Sequence, residues 1–508
     1  MFSRVLSAAI TGIEVHPVWV ETDVSDGLPS FVMVGYLSSQ VREAQDRVRT
    51  ALRNTGAAMP PKRITVNLSP ADIRKDGAGF DLPIAAAILC ASGKIKPEQL
   101  EQVFVAGELG LNGEVHSVSG ILPMMMKARE CGCRMAVVPK QNLAEAKVVD
   151  GITAAGVENL KELMEVLSTG VIPKMEEGMA EAVVPDYKED FADIRGQESL
   201  KRAALIAVSG FHNMLMLGPP GSGKSMLAKR ITTILPELTK EESLEISNIY
   251  SVAGLLSASQ PLMRMRPFRS PHHTASPQAL AGGGVIPKPG EITLAHRGVL
   301  FLDELPEFSR RSLEILRQPL EERKIYISRS SGTYCFPADF LLLAAMNPCP
   351  CGYYPDMNRC SCTSADVNRY QNKISFPLLD RIDVCVETTE VSYDQLHGGE
   401  KGSLSSEQMR NQVRRAREIQ QARYRDTELI FNADIQPGQI AGFCPMTEKA
   451  ESILKRTYQK MHLSARAYHR IIRVARTIAD LAGEEIIDSI HVSEAIQYRC
   501  IDRKYWRN

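Results

Sequence analysis

Residues 213–235 read "NMLMLGPPGSGKSMLAKRITTIL". A short apolar run of buried-strand type meets a glycine-rich turn, and a helical pattern follows. A phosphate-binding loop needs that order. Gly218, Pro219, Pro220, Gly221, Ser222 and Gly223 make the loop, whose backbone N–H groups close around phosphates. Lys224 would reach the β- and γ-phosphates, Ser225 would hold Mg²⁺, and Met226 continues the first helical turn. The stretch predicts an α/β fold with a parallel sheet, taking ATP and Mg²⁺ at the carboxyl ends of its strands.

Two further apolar runs extend the reading. "GVLFLDE" (298–304) ends in Asp303 and Glu304, and "FLLLAAMN" (340–347) ends in Asn347. Asp303 would bind Mg²⁺ through water, Glu304 would activate the attacking water, and Asn347 at a strand tip would orient it. Lys224 and Asp303 lie 79 residues apart, more than a strand–helix–strand unit requires. The excess, 251–297, is rich in Pro, Gly, Arg and His, as inserted functional loops are.

The 508 residues exceed one core and call for about three domains. Lys+Arg equals Asp+Glu at 60 each, so any basic surface is local. No apolar run reaches the roughly 18–20 residues that span a bilayer, and the start reads as strand-like alternation rather than a signal peptide. A cytoplasmic location and no membrane partner follow as expectations. Residues 1–170 alternate strand and helix patterns, with a hairpin turning at Asn112-Gly113. Residues 171–190 read as a linker. Residues 191–390 form the ATPase core, with an insertion at 251–290, and 391–508 read as helical only.

The ordered set "GPPGSGKS", "RPFRSPHHTAS", "GGGVIPKPGEITLAHRGVLFLDELPEF", "AAMNPCPCG", "PLLDRID" and "LSARAYHRIIRVARTIADL" resembles the magnesium-chelatase-like AAA+ ATPases of the YifB/ComM type. The resemblance covers nearly the whole chain. It implies an AAA+ core with a helical lid and assembly as a homo-oligomeric ring, a hexamer. It implies an ATP-driven DNA motor of helicase or branch-migration type, linked to competence, transformation and recombination proteins. Metal insertion by a chelatase-like motor, or protein remodelling, are the alternatives. By the same resemblance Arg381 in "LLDRID" is an arginine finger acting on the neighbouring subunit. Arg466 in "SAR" is the lid arginine, with Arg470, Arg473 and Arg476 as nearby competitors. Ile194, Gly196 and Gln197 in "DIRGQ" line the adenine pocket. Single-stranded or branched DNA would be gripped, without sequence reading, by the insertion (Arg266, Arg269, His272, His273) or by a β-hairpin tipped at Arg329–Gly332. The two histidines fit a loop or interface role better than a metal site.

"RKDGAGFDLPIAAAI" resembles the catalytic segment of Lon-type proteases. Aligned on Lys75-Asp76-Gly77, Gly79 stands where the serine nucleophile belongs, and Leu122 stands at the lysine. Ser69 and Lys75 are close in sequence, with nothing to place them as a dyad. The first 170 residues are therefore expected to be a Lon-like α+β domain without peptidase activity, used for binding or assembly.

"NPCPCGYYPDMNRCSC" (347–362) places Cys349, Cys351, Cys360 and Cys362 between Asn347 and Arg381. In a reducing compartment four such thiols favour tetrahedral Zn²⁺ as a staple. Buried free thiols and a redox device are the other two readings.

Overall fold

The computed structural model describes residues 1–171, 189–257, 259–284, 287–329, 332–390 and 404–506, with backbone alone for 500–504. Most of the expected linker at 171–190, residues 330–331 of the expected hairpin tip, and the start of the expected lid lie outside the described residues.

The N-terminal domain is one mixed seven-stranded sheet. Its strands are β1 (Phe2–Thr11), β2 (Glu14–Ser25), β3 (Ser30–Val34), β4 (Arg63–Ser69), β5 (Val103–Val105), β8 (Met135–Pro139) and β9 (Thr153–Val157), in the order β3-β4-β2-β1-β5-β8-β9. β6 (Glu108–Leu109) and β7 (Val115–His116) make the expected hairpin around Asn112-Gly113. The helix Ser39–Asn54 starts where the Ser38 hydroxyl accepts from the Val41 N–H. It buries Val41, Ala44, Val48, Ala51 and Leu52, a spacing that places one face on the sheet. The helix Asp81–Ala91 is buried along its entire length, so it carries no polar face. Its one charge, Asp81, is held by Arg47 through bonds of 2.7 and 2.9 Å.

The expected ATPase core is a parallel sheet of five strands ordered β11-β14-β17-β10-β18. They are β10 (Met214–Leu217), β11 (Phe268–Arg269), β14 (Val299–Leu302), β17 (Leu341–Met346) and β18 (Val384–Glu387). β10, β14 and β17 are buried at every position, which is why they read as unbroken apolar runs. β11 and β18 are not foretold by such a run. One has two residues, and the other is "VCVE".

A short ribbon, β12 (Gly282–Gly283) with β13 (Lys288–Pro289), and the hairpin β15 (Lys324–Arg329) with β16 (Gly332–Pro337) form separate two-stranded sheets. Arg329 Nε donates to the Gly284 carbonyl, so ribbon and hairpin touch. The helices Ser406–Arg423, Glu448–Met461, Ala465–Ala482 and Ser489–Trp506 follow. They share one apolar core with the helix Glu198–Gly210 and with β10, β14, β17 and β18.

The core also grips the N-terminal domain. The helix Lys240–Val252 lies along the helix Ile121–Glu130. The Gly120 N–H donates to the Ser251 carbonyl at 3.0 Å, and the Leu122 N–H donates to Ser251 Oγ and Glu145 Oε1.

Candidate functional site

β10 and β17 run in register to their ends, Leu217 opposite Met346, and β14 reaches Leu302 beside Ala344. The residues just beyond these tips are Gly218, Asn347 and Asp303, so three distant segments of sequence converge on one edge. Gly223 sits at φ +87, a left-handed turn that lets the helix Lys224–Arg230 begin. Lys224 Nζ donates to the carbonyls of Gly218 and Pro219 at 2.8 Å each, and lies 3.3 Å from Asn347 Oδ1. Burial pushes its pKa down to about 8, against the pull of Asp303. Ser225 Oγ donates to Asp303 Oδ2 at 2.6 Å. A hydroxyl and a carboxylate side by side are the hard oxygen donors Mg²⁺ selects, with room left for phosphate and water.

Ser222 Oγ is 2.7 Å from Thr388 Oγ1, which ties the loop to the exit of β18. Gln197 Nε2 reaches the Ser222 and Thr389 carbonyls. Ile194 and Gly196 are buried and Met226 is exposed. The segment expected at the adenine pocket therefore touches the phosphate loop.

Glu304 takes a left-handed backbone at φ +51, sparsely populated for a residue with a side chain. Its carboxylate meets His273 Nδ1 at 3.3 Å, and the His272 and His273 rings lie 4.1 Å apart. The sequence reading gave His273 to DNA or a loop. The structure puts it against Glu304, because "SPHH" leaves the tip of β11, the sheet neighbour of β14. Recognising "FR" as a strand was the signal that could have found it.

Two other expectations need correction. Arg266 pairs with Glu242 at 2.8 Å and donates to the Pro236 and Arg297 carbonyls. Arg269 makes a two-pronged bond to Glu291 at 2.6 and 2.7 Å. Both guanidiniums are committed within the chain, so neither is presented to DNA as expected.

Arg381 and Arg466 stand elsewhere. Arg381 precedes β18, whose Val384 is level with Met214 at the start of β10, so it lies at the end of the sheet remote from Lys224. It is no surface residue and pairs with neither Asp380 nor Asp383. Its side chain is 6 % exposed and bound to Glu321 Oε1 at 2.7 Å. The same oxygen lies 3.4 Å from Arg466 Nη2, and Arg466 is 61 % exposed. The competing arginines are used within the chain: Arg470 faces Asp383 of the core, and within the lid Arg473 meets the Ala433 carbonyl and Arg476 meets Asp480. Glu321 was missed by sequence reading, since 60 residues of chain separate it from Arg381.

The Lon-like positions do not form a catalytic pair. Gly79 lies in the turn before the helix Asp81–Ala91, and Leu122 is fully buried beneath Ser251. Lys75 is also fully buried and bonds the Pro70 carbonyl, with no bond to Ser69 among the described residues. The four loop thiols do converge. The Sγ atoms of Cys349, Cys351, Cys360 and Cys362 all lie within 4.8 Å of one another. No helix among the described residues is long and apolar enough to cross a membrane.

The chain matches known families over most of its length. The description "Magnesium chelatase, subunit ChlI" matches residues 190–396, "Subunit ChlI of Mg-chelatase" matches 20–142, and the ChlI C-terminal description matches 403–499. The chain is 43% identical to the competence protein ComM of Haemophilus influenzae, over 98% of this chain and 97% of that protein. It is 41% identical to YifB of Escherichia coli, over 99% and 97%. A 128-residue stretch, 25% of this chain, is 30% identical to Lon protease 2 of Bacillus subtilis, covering 23% of that protein. The chain belongs to the magnesium-chelatase-like AAA+ family of the YifB/ComM type.

Proposed function

We propose that this chain is a cytoplasmic, ring-forming ATPase that couples ATP hydrolysis to remodelling of single-stranded or branched DNA in recombination. One observation carries the ring: the chain's site residues are split between the two ends of one sheet. Lys224, Ser225, Asp303, Glu304 and Asn347 meet at the carboxyl end, while Arg381 and Arg466 share Glu321 at the other. A subunit whose arginines lie across the sheet from its own phosphate loop can use them only on a neighbour's phosphates. That requirement suits a closed homo-oligomer, of which a hexamer is one.

Lys224 would turn from the Gly218 and Pro219 carbonyls to the β- and γ-phosphates. Ser225 and Asp303 would hold Mg²⁺, which neutralises developing phosphate charge when bound. Glu304 would take a proton from the attacking water, Asn347 would orient that water, and His273 would set the Glu304 carboxylate. The neighbour's Arg381 would stabilise the transition state, and its Arg466 would report nucleotide state to the lid.

Support for DNA comes from two sides. A relative matched over nearly its full length is named for competence. The hairpin carries exposed Lys324, Tyr326 and Arg329 beside the ribbon's exposed Lys288, a set that can grip backbone phosphate and stack on bases. The N-terminal domain serves assembly rather than peptide hydrolysis, as Gly79 and Leu122 offer neither nucleophile nor base.

The test is ATPase rate with and without forked or three-strand DNA, on wild type and Glu304→Gln. Forked DNA should raise the wild-type rate. Glu304→Gln should lose about 10²–10³-fold in turnover while still binding ATP and retaining DNA. No stimulation, together with no DNA retention by the variant, would overturn the DNA reading.

A further inference from the structure

We propose that Cys349, Cys351, Cys360 and Cys362 bind one structural zinc ion, and that the loop so fixed is a rigid wall behind the phosphate-binding loop. The second half rests on the ATP-site reading above.

The thiols are pre-arranged. Sγ of Cys349 lies 3.3 Å from that of Cys351 and 3.8 Å from that of Cys360, and Cys351 to Cys360 is 3.5 Å. The edges of a zinc–thiolate tetrahedron, with bonds of about 2.3 Å, are about 3.8 Å long. The Tyr354 N–H donates to Cys349 Sγ at 3.3 Å, the kind of outer bond that steadies a metal-bound thiolate. A turn shapes each C-x-C arm, with Gly352 N–H to the Cys349 carbonyl in the first and Cys360 N–H to the Asp356 carbonyl leading into the second. Core packing accounts for Cys349, which is fully buried, but not for Cys351, Cys360 and Cys362, which are only half-buried. A disulfide would need one favoured pair, whereas Cys349, Cys351 and Cys360 are mutual neighbours. On binding, Zn²⁺ displaces the thiol protons to solvent. Four sulfur ligands leave no open position, so the ion is a staple and not a Lewis acid.

The staple has something to hold. Gly352, at φ +90, lies so close to the phosphate loop that a Cβ there would stand 2.5 Å from Pro220 Cδ. Arg359 binds Glu390 through 2.7 and 2.8 Å bonds and covers the Tyr353 ring at 4.1 Å. Glu390 follows the Thr388-Thr389 pair that bonds Ser222 and Gln197. The Pro348 carbonyl, between Asn347 and Cys349, accepts from Gln371 at 2.8 Å. The cysteine loop therefore abuts Pro220 on one side and carries Asn347 on the other.

The experiment uses the full chain purified under reducing conditions with zinc in the growth medium. Elemental analysis should find about one zinc per chain in wild type and below about 0.1 in Cys360→Ser/Cys362→Ser. Cobalt exchange into wild type should give thiolate charge-transfer bands and tetrahedral d–d bands. Because the double variant could fail to fold, Gly352→Val tests the wall with all four thiols intact. It should keep its zinc yet bind a fluorescent ATP analogue about tenfold more weakly. Zinc-free wild type with unaltered nucleotide affinity would overturn the site, and zinc-loaded Gly352→Val with wild-type affinity would overturn the wall. Both readouts are taken without DNA, so a failure of DNA stimulation is a separate result.

Discussion

At the carboxyl ends of β10, β14 and β17, polar side chains leave an apolar sheet and meet within hydrogen-bond distance: Lys224 with Asn347, and Ser225 with Asp303. In the N-terminal domain the positions that align with a Lon-type serine and lysine hold Gly79 and Leu122. Leu122 is not merely empty of chemistry. It is fully buried, and its N–H is bonded to Ser251 Oγ from the ATPase core. One site gathers polar side chains at a sheet edge, and the other is closed by the domain beside it. A docking face wants apolar packing and satisfied backbone, which Leu122, Gly120 and Ser251 provide. A catalytic site needs desolvated charge with partners arranged around it, which Lys224 has.

The most direct way to break that contrast is to rebuild the missing pair. Gly79→Ser is sterically admissible, since a Cβ there meets only Val118 at ordinary distance. Leu122→Lys is not, because it puts an ammonium into a fully buried site under the helix Lys240–Val252. The double variant should lose about 4 kcal/mol of stability, read as an earlier urea transition, and should not hydrolyse unfolded casein. Wild-type stability with peptide hydrolysis would show that the site is open after all.

The contrast sharpens at the other end of the core sheet. Arg381 is nearly as buried as a core residue but bound to a half-exposed acid, Glu321, which also faces Arg466. A structural arginine would fail by unfolding. A finger would fail in hydrolysis alone, and only where a neighbour's site lacks it. Arg381→Ala should cut turnover about 10²-fold with ATP affinity preserved. Mixed with Lys224→Ala chains, which supply an intact Arg381 but no working phosphate loop, it should recover part of the lost activity. Equal loss of melting temperature and turnover, with no recovery on mixing, would make Arg381 a packing residue.

What could be read from the chain follows the range of the interactions. Lys224, Asp303 and Asn347 were legible because each ends an apolar strand, and strand tips in a parallel sheet share an edge. Arg266 and Arg269 misled because their partners, Glu242 and Glu291, lie 24 and 22 residues away in a loop-rich stretch without periodicity. His273 depended on a two-residue strand, β11, too short to show a pattern. Glu321 and the covering of Leu122 by Ser251 arise only when separate elements pack, at separations of 60 and 129 residues. The cysteines were visible as a spacing, and folding alone showed that their sulfurs meet, in a loop whose Gly352 abuts Pro220.

The two regions each bury a lysine, and the smallest effect separates them. Burial lowers the pKa of Lys224 to about 8, and it also lowers that of Lys75, which bonds the Pro70 carbonyl. For Lys224 the folded value lies below the ordinary 10.5. Between those limits the unfolded chain therefore holds a proton that the folded chain lacks, and folding is favoured as pH rises. Phosphate at the loop reverses this by restoring the charge on Lys224. ATP binding should take up a proton above pH 8, approaching one near pH 9, and affinity should fall with pH by at most about tenfold per unit. Near pH 7 the lysine is already charged and no uptake through it is expected. Calorimetry in buffers of different ionisation enthalpy reads this directly. Lys75 has no phosphate to meet, so Lys75→Met should leave the uptake unchanged. Uptake that is absent at pH 9 would mean Lys224 keeps its proton in the empty loop, with Asp303 outweighing burial.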